Sequence, residues 1–208
     1  MCSSDLPASA IAMLHGPMNA SEAAYARATG AIPVLNTRGQ VQVWRESGGG
    51  RCHLMVDTGM NRLGLARDDL NDAVIAGLDV DLCMSHLASA DEDVPQNAQQ
   101  KAVFAAVRQQ VRARRYSLAN SAGIVLGSAY HADLTRPGLA LYGGIARPEL
   151  AGRIGQVAFP EAAVIQVRQL VPGDRVGYNA RFVADRPMRV GVLAIRSEEH
   201  TSELQSRA

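Results

Sequence analysis

LCMSHLASADEDVPQNAQQKAVFAAVRQQVRARRYSLANS, residues 82–121, decides the fold. It opens on one short apolar run, LCMSHL (82–87), and closes on another, YSLANS (116–121). Between them Phe104, Val107 and Val111 recur at i, i+3 and i+7 within the polar stretch from Asn97 to Arg115, which is the spacing of a single buried helical stripe. Strand, helix and strand in succession are the unit of a parallel sheet.

The same alternation extends in both directions. Further β-type or apolar runs are AIAML (10–14), IPVLN (32–36), CHLMVD (52–57) and GLALYG (138–143). Leu70, Val74 and Leu78 repeat at i, i+4 and i+8 behind Asp68 and Asp69, an acidic pair suited to the positive end of a helix. Asn19 or Ser21 can cap a helix carrying Ala23, Ala24 and Tyr25. Repeated strand and helix from Ala10 to Gly143 imply a parallel sheet or a (β/α) barrel.

After Gly143 the pattern changes. A linker holding Pro148, Gly152, Gly155 and Pro160 leads into three β-type runs, AAVIQVRQL (162–170), VGYNARFV (176–183) and MRVGVLAI (188–195). VPGD (171–174) is a turn signal between the first two, and DRP separates the last two. The expected class is α/β: a partial (β/α)8 TIM-type barrel over residues 7–150, then the start of a C-terminal all-β domain over 151–195. Residues 1–6 and 196–208 resemble translated sequencing adapters, and such scars are excluded from fold reasoning.

Composition narrows the function. The 208 residues carry 21 basic and 20 acidic side chains, a formal charge of +1, so no strong field attracts nucleic acid or an acidic membrane. The densest basic cluster, Arg112, Arg114 and Arg115, is expected at a helix end, where cations are favoured anyway. Cys2, Cys52 and Cys83 fit neither a disulfide framework nor a zinc site, and no metal is expected. No apolar run approaches the roughly 20 residues of a membrane helix, and a cytoplasmic location is expected.

In a barrel the chemistry gathers at the C-terminal ends of the strands. Those ends carry Asp57, Thr58 and Arg62, then Ser85 and His86, then Asn120 and Ser121, then Arg136, Gly138 and Leu139. Singly, each has an ordinary reading: a core histidine, surface arginines, helix caps, glycines that permit turns. Jointly they form a set of cationic and neutral donors that suits an anion, above all a phosphate.

These residues carry a resemblance. VDTGMNRLG (56–64), SHLASADE (85–92), SLANSAG (117–123), TRPGLALYG (135–143) and VGYNARF (176–182) resemble, in order and spacing, the motif series of the alanine racemases. The likeness covers nearly all of residues 10–195. It implies a pyridoxal 5′-phosphate enzyme with an N-terminal (β/α) barrel and a C-terminal β domain, interconverting L- and D-alanine and supplying D-alanine for peptidoglycan.

By that likeness Arg136 donates to the pyridine nitrogen of the cofactor. An arginine keeps its proton, so the ring withdraws electrons less strongly than against a carboxylate. Ser121, with the backbone amides of Gly138 and Leu139, matches the phosphate cradle. His86 matches the histidine beside the ring, Asn120 an orienting neighbour, and Arg62 the arginine near the phenolic oxygen and the substrate carboxylate. Tyr178 matches the tyrosine that enters the partner's site in a homodimer, one of the two opposing acid/base groups that racemisation needs.

Two departures from the family pattern stand in the sequence. The cofactor-bearing lysine belongs to the first barrel strand, ahead of residue 1, and the single lysine, Lys101, is expected to face solvent. Where many relatives place a lysine two positions before the aspartate of the VDTG motif, this chain has Met55. The 208-residue chain alone is therefore expected to be inactive. A broad-specificity amino-acid racemase and a non-catalytic pyridoxal-phosphate-binding barrel are the competing readings.

Overall fold

A computed structural model describes residues 6–71, 73, 75–159 and 161–194. Cys2, Val74, Pro160, Ile195 and both adapter-like termini, Leu6 excepted, lie outside the described residues. The chain divides into two compact units, Met1–Val157 and Ala158–Ala208.

The first unit is a five-stranded parallel sheet whose spatial order follows the sequence: β1 (Ala12–Met13), β2 (Ile32–Leu35), β3 (Arg51–Met55), β4 (Asp79–Met84) and β5 (Arg115–Ser117). Parallel neighbours taken in order, each reached by a crossover, are consecutive staves of a barrel wall. Helix α1 (Ala20–Thr29) starts at Asn19, whose side chain accepts from the Glu22 amide, and stops at Gly30 in the left-handed region, φ 79°. Helix α2 (Arg38–Glu46) is capped in the same way by Thr37.

The strands separate two environments. Leu35, Leu54, Val56 and Cys83 join the core formed with the helices, including Ala23, Val41 and Trp44. Val34, Met55, Leu82 and Met84 form a second apolar cluster of their own. The stripe read from the sequence is buried at all three positions, Phe104, Val107 and Val111, on or just beyond helix α3 (Pro95–Gln110).

Several local expectations are corrected. Asp68 and Asp69 lie in a 3-10 turn, Arg67–Asn71, and Gly77 has φ 84°, where a regular helix cannot continue. GLALYG forms a short helix, α5 (Gly138–Leu141), instead of a strand. The strand-end position is taken just before it by Arg136, which bridges in parallel to Asn120 and donates its amide to Ala119 O at 2.9 Å.

The three arginines do not cluster at the helix end either. α3 stops at Gln110, Arg114 pairs with Asp79 at 2.6 Å, and Arg115 starts β5 and pairs with Asp81 at 2.7 Å. Burial alone would raise the pKa of Asp81, but its bonds to Arg115 and Arg51 win and hold it below the usual carboxylate range. Lys101 is half-buried, its ammonium 4.8 Å from the centre of the Tyr130 ring. Cys52 and Cys83 are buried thiols, both pushed up to about 12, mainly by burial.

In the second unit β6 (Val164–Leu170) pairs antiparallel with β9 (Met188–Leu193), and β7 (Arg175–Val176) with β8 (Phe182–Val183). VPGD is a turn: Gly173 has φ 96° and the Val171 amide donates to Asp174 Oδ2 at 3.0 Å. VGYNARFV is not one strand, because Gly177 at φ 78° and Asn179 at φ 58° break it into a 3-10 turn over Tyr178–Ala180.

Candidate functional site

The C-terminal ends of β4 and β5 and the start of α5 surround a cavity of about 540 Å³ in the first unit. His86, Asn120, Ser121, Arg136, Gly138 and Leu139 line it, together with Ala88, Ala90, Asp91, Ala122, Ile145 and Ala146. Six positions chosen from the sequence thus meet around one space. Its volume falls within the ~300–1,000 Å³ of small-molecule sites.

Each wall has a local cause. Asn120 caps α4 (Ser121–Val125), accepting from the Gly123 amide at 2.9 Å, which fixes Ser121 as the first helical residue. Ser121 Oγ accepts from the Ala140 amide at 3.1 Å, joining the start of α4 to α5. The Gly138 amide turns back onto Arg136 O at 2.9 Å, whereas the Leu139 amide has no acceptor among the described residues. A Cβ at Gly138 would meet no protein atom within 4 Å, so the glycine leaves open space beside the cavity and is not required by packing.

Arg136 is held across two strand ends. Its guanidinium donates to Ser117 Oγ on β5, to Ser85 O beyond β4, and to Leu118 O at 3.5 Å. Burial lowers it to about 10, so it stays cationic at neutral pH. His86 is pushed down to about 4, first by burial and then by the charges of Arg136 and Arg62. Its ring is neutral at pH 7.

A pH dependence follows. His86 has an ordinary value of 6.5 when unfolded and about 4 when folded, so below 6.5 the unfolded chain binds the extra proton. Its contribution to stability is complete above about 6.5 and is lost as the pH falls toward 4. Buried His53 shifts in the same direction. Urea midpoints are expected to hold between pH 7 and 8, fall through that window, and fall less in His86→Gln. Equal midpoints at pH 7 and 4.5 would contradict this.

Arg62 does not line the cavity and is exposed; no carboxylate pairs with it among the described residues. Met55, two positions before Asp57, is buried in the apolar cluster of the sheet. Tyr178 belongs to the second unit and is 97% exposed. Arg147 is a residue the sequence reading missed. Only 6% exposed, it donates to Ala90 O at 2.9 Å and pairs with Asp93 at 2.7 Å and Glu149 at 2.9 Å, tying the segment after Ala146 to the loop after β4. Its main partners are 54 and 57 residues away, and nothing in its neighbourhood signals them.

Fold and cavity together define a class: a (β/α) barrel wall with cationic and neutral donors gathered at its strand ends, a lining whose chemistry suits a small anion. The comparisons give the family. Residues 2–146 match the alanine racemase N-terminal domain and residues 157–195 the C-terminal domain. The chain belongs to the alanine racemase family.

The alanine racemase of Methylobacterium nodulans is 44% identical over 197 residues, an alignment covering 89% of this chain and 52% of that protein. Among solved structures, biosynthetic alanine racemase from Pseudomonas aeruginosa superposes with a TM-score of 0.70 at 31% identity, covering 88% of this chain and 55% of that one. Alanine racemase from Bartonella henselae, solved with covalently bound pyridoxal phosphate, gives 0.66 at 32% identity, covering 89% and 54%. The chain spans about half the length of the relatives it matches. Among the described residues no helix is long and apolar enough to cross a membrane.

Proposed function

We propose that this chain is the central part of a cytoplasmic, homodimeric alanine racemase that uses pyridoxal 5′-phosphate and provides D-alanine for peptidoglycan. The observation that carries the reading is the convergence of His86, Ser121, Arg136, Gly138 and Leu139 on one cavity. The residues present fit the cofactor. Five of the lining positions supply donors or room for an anion, and Asp91 is the single carboxylate among the twelve lining residues.

When bound, the cofactor supplies an electron sink that lowers the cost of negative charge at the substrate Cα. Ser121 Oγ and the backbone amides of Gly138 and Leu139 would hold its phosphate, and Arg136, cationic at neutral pH, would donate to its pyridine nitrogen. Neutral His86 would lie beside the ring without adding a second buried charge, and Asn120 sets the start of α4 from which Ser121 reaches the cavity. Arg62, outside the cavity lining, would receive the substrate carboxylate.

Tyr178 of one subunit enters the partner's site and moves a proton at one face of Cα. A group on the opposite face must handle the other proton, and by family resemblance that is a lysine which also holds the cofactor covalently. Lys101, on α3, does not offer this group: its ammonium lies over the Tyr130 ring and it does not line the cavity.

The 208-residue chain mixed with pyridoxal phosphate is therefore expected to bind it reversibly, with competition from inorganic phosphate, and to show no visible-region absorbance of lysine-bound cofactor. Ser121→Asp, which puts a carboxylate in the cradle, is expected to weaken that binding at least about tenfold. Visible absorbance that disappears in Lys101→Ala, or binding indifferent to phosphate and to Ser121→Asp, would overturn the reading.

A further inference from the structure

Helix α3 turns three amide side chains, Gln96, Asn97 and Gln100, toward the loops that follow β3 and β4. Gln96 donates to Gly59 O at 3.2 Å and accepts from Ser89 Oγ at 2.8 Å. Asn97 donates to Ser89 O at 3.0 Å and to Glu92 O at 2.8 Å. Gln100 lies deepest, fully buried. Its Nε2 donates to His86 O at 3.0 Å and to Thr58 Oγ1 at 3.3 Å, and its Oε1 accepts from the Ala88 amide at 2.9 Å. Thr58 Oγ1 is in turn 2.7 Å from Ser85 Oγ.

One side-chain amide that takes a carbonyl and the amide two residues later does for that backbone what a neighbouring strand would do. Buried backbone groups must find partners, and past Met84 the sheet pairing of β4 is ending. Apolar packing alone gives no reason for the residue. A leucine or methionine would fill similar volume beside Phe104 with no partners to satisfy, whereas a buried primary amide is tolerated only when its bonds are made. What distinguishes Gln100 is where those bonds end: on the backbone of His86 and Ala88, both of which line the cavity.

We propose that Gln100 is a positioning residue for this site, its buried amide fixing the His86–Ala88 backbone and so the place of the His86 imidazole in the cavity that Arg136 also lines. This rests on the reading of His86 as the residue beside the ring. Gln96 and Asn97 hold the next stretch of the same loop, farther from the imidazole. The charged groups around His86 are Arg136 and Arg62, with Asp91 on the same cavity wall. If Gln100 releases the backbone, His86 moves toward solvent and away from Arg136, and its protonated form becomes easier to reach.

The test needs no ligand. In the unsubstituted 208-residue chain, hydrogen exchange at the Ala88 amide is expected to be as slow as at the amides of β4. Exchange at the rate of an open loop overturns the proposal, whatever becomes of any variant. In the parent the NMR titration midpoint of His86 is expected well below the ordinary imidazole value, and in Gln100→Met it is expected to rise by at least one pH unit. Asn97→Ala, which loosens only Ser89–Glu92, is expected to leave it in place. A folded Gln100→Met with a lower melting temperature and an unmoved His86 midpoint shows a purely structural role and overturns the proposal. Because neither readout involves pyridoxal phosphate, failure here and failure of the cofactor reading are distinguishable.

Discussion

Tyr178→Phe in the complete enzyme is expected to slow alanine racemisation by about 100- to 10,000-fold while the cofactor stays bound, the range lost when a positioned acid/base group is removed. Racemisation takes a proton from one face of Cα and returns one to the other, so losing either group blocks both directions. The substitution is also structurally clean. At 97% exposure, on a 3-10 turn where its hydroxyl has no partner among the described residues, Tyr178 contributes nothing to its own unit that phenylalanine would lose. Melting temperature and cofactor absorbance should match the parent. Undiminished racemisation would remove Tyr178 from the mechanism and return it to an exposed turn residue.

Arg136→Leu is expected to damage both stability and activity. The guanidinium serves Ser85 O, Ser117 Oγ and Leu118 O, and removing it strands acceptors at the ends of β4 and β5. Each unsatisfied buried acceptor costs about 1–3 kcal/mol. The same change removes the proposed donor to the pyridine nitrogen and one of the two charges that add to burial in lowering the His86 pKa. Racemisation is expected to fall by about 100-fold or more, in line with the loss of one preorganised donor. Arg136→Lys restores the charge without the planar fork, so it should recover part of the His86 shift but little of the three-acceptor geometry. Urea denaturation and steady-state rates on both variants separate the two effects. An Arg136→Leu enzyme with parental stability would show that the strand ends do not depend on this side chain.

The legible parts of the fold were those with local causes. Phe104, Val107 and Val111 share one helix face by spacing alone, Asn19 caps because an amide side chain reaches the third amide of the turn, and Gly173 turns because its φ is positive. GLALYG is helical, although a six-residue apolar run suits strand or helix equally, because the choice is made by contacts outside it. Arg136 occupies the strand-end position and Ser121 Oγ, 19 residues upstream, captures the Ala140 amide. VGYNARFV failed for a related reason: Gly177 and Asn179 permit the positive φ values that break the strand, but permission is not a signal.

The candidate site divides in the same way. Residues at strand ends could be listed in order from the barrel rule, and His86, Asn120, Ser121 and Arg136 do line one cavity. The residues that hold those ends in place left no pattern to read. Gln100 is an unremarkable glutamine in a polar helix until its amide is seen on His86 O and Ala88 N, and Arg147 resembles any surface arginine until it is found buried on Ala90 O. Their backbone partners are 12 to 57 residues distant, beyond the reach of helix or strand periodicity.

If residues of this chain build half of a two-base racemase site, the complete enzyme with pyridoxal phosphate, followed on L-alanine in deuterium oxide, is expected to yield D-alanine carrying deuterium at Cα. The mixture should approach equal amounts of the two enantiomers from either side, and Tyr178→Phe should lose both signals. Cofactor bound in the Ser121–Arg136 cavity with no Cα exchange and no D-alanine would rule out such a site.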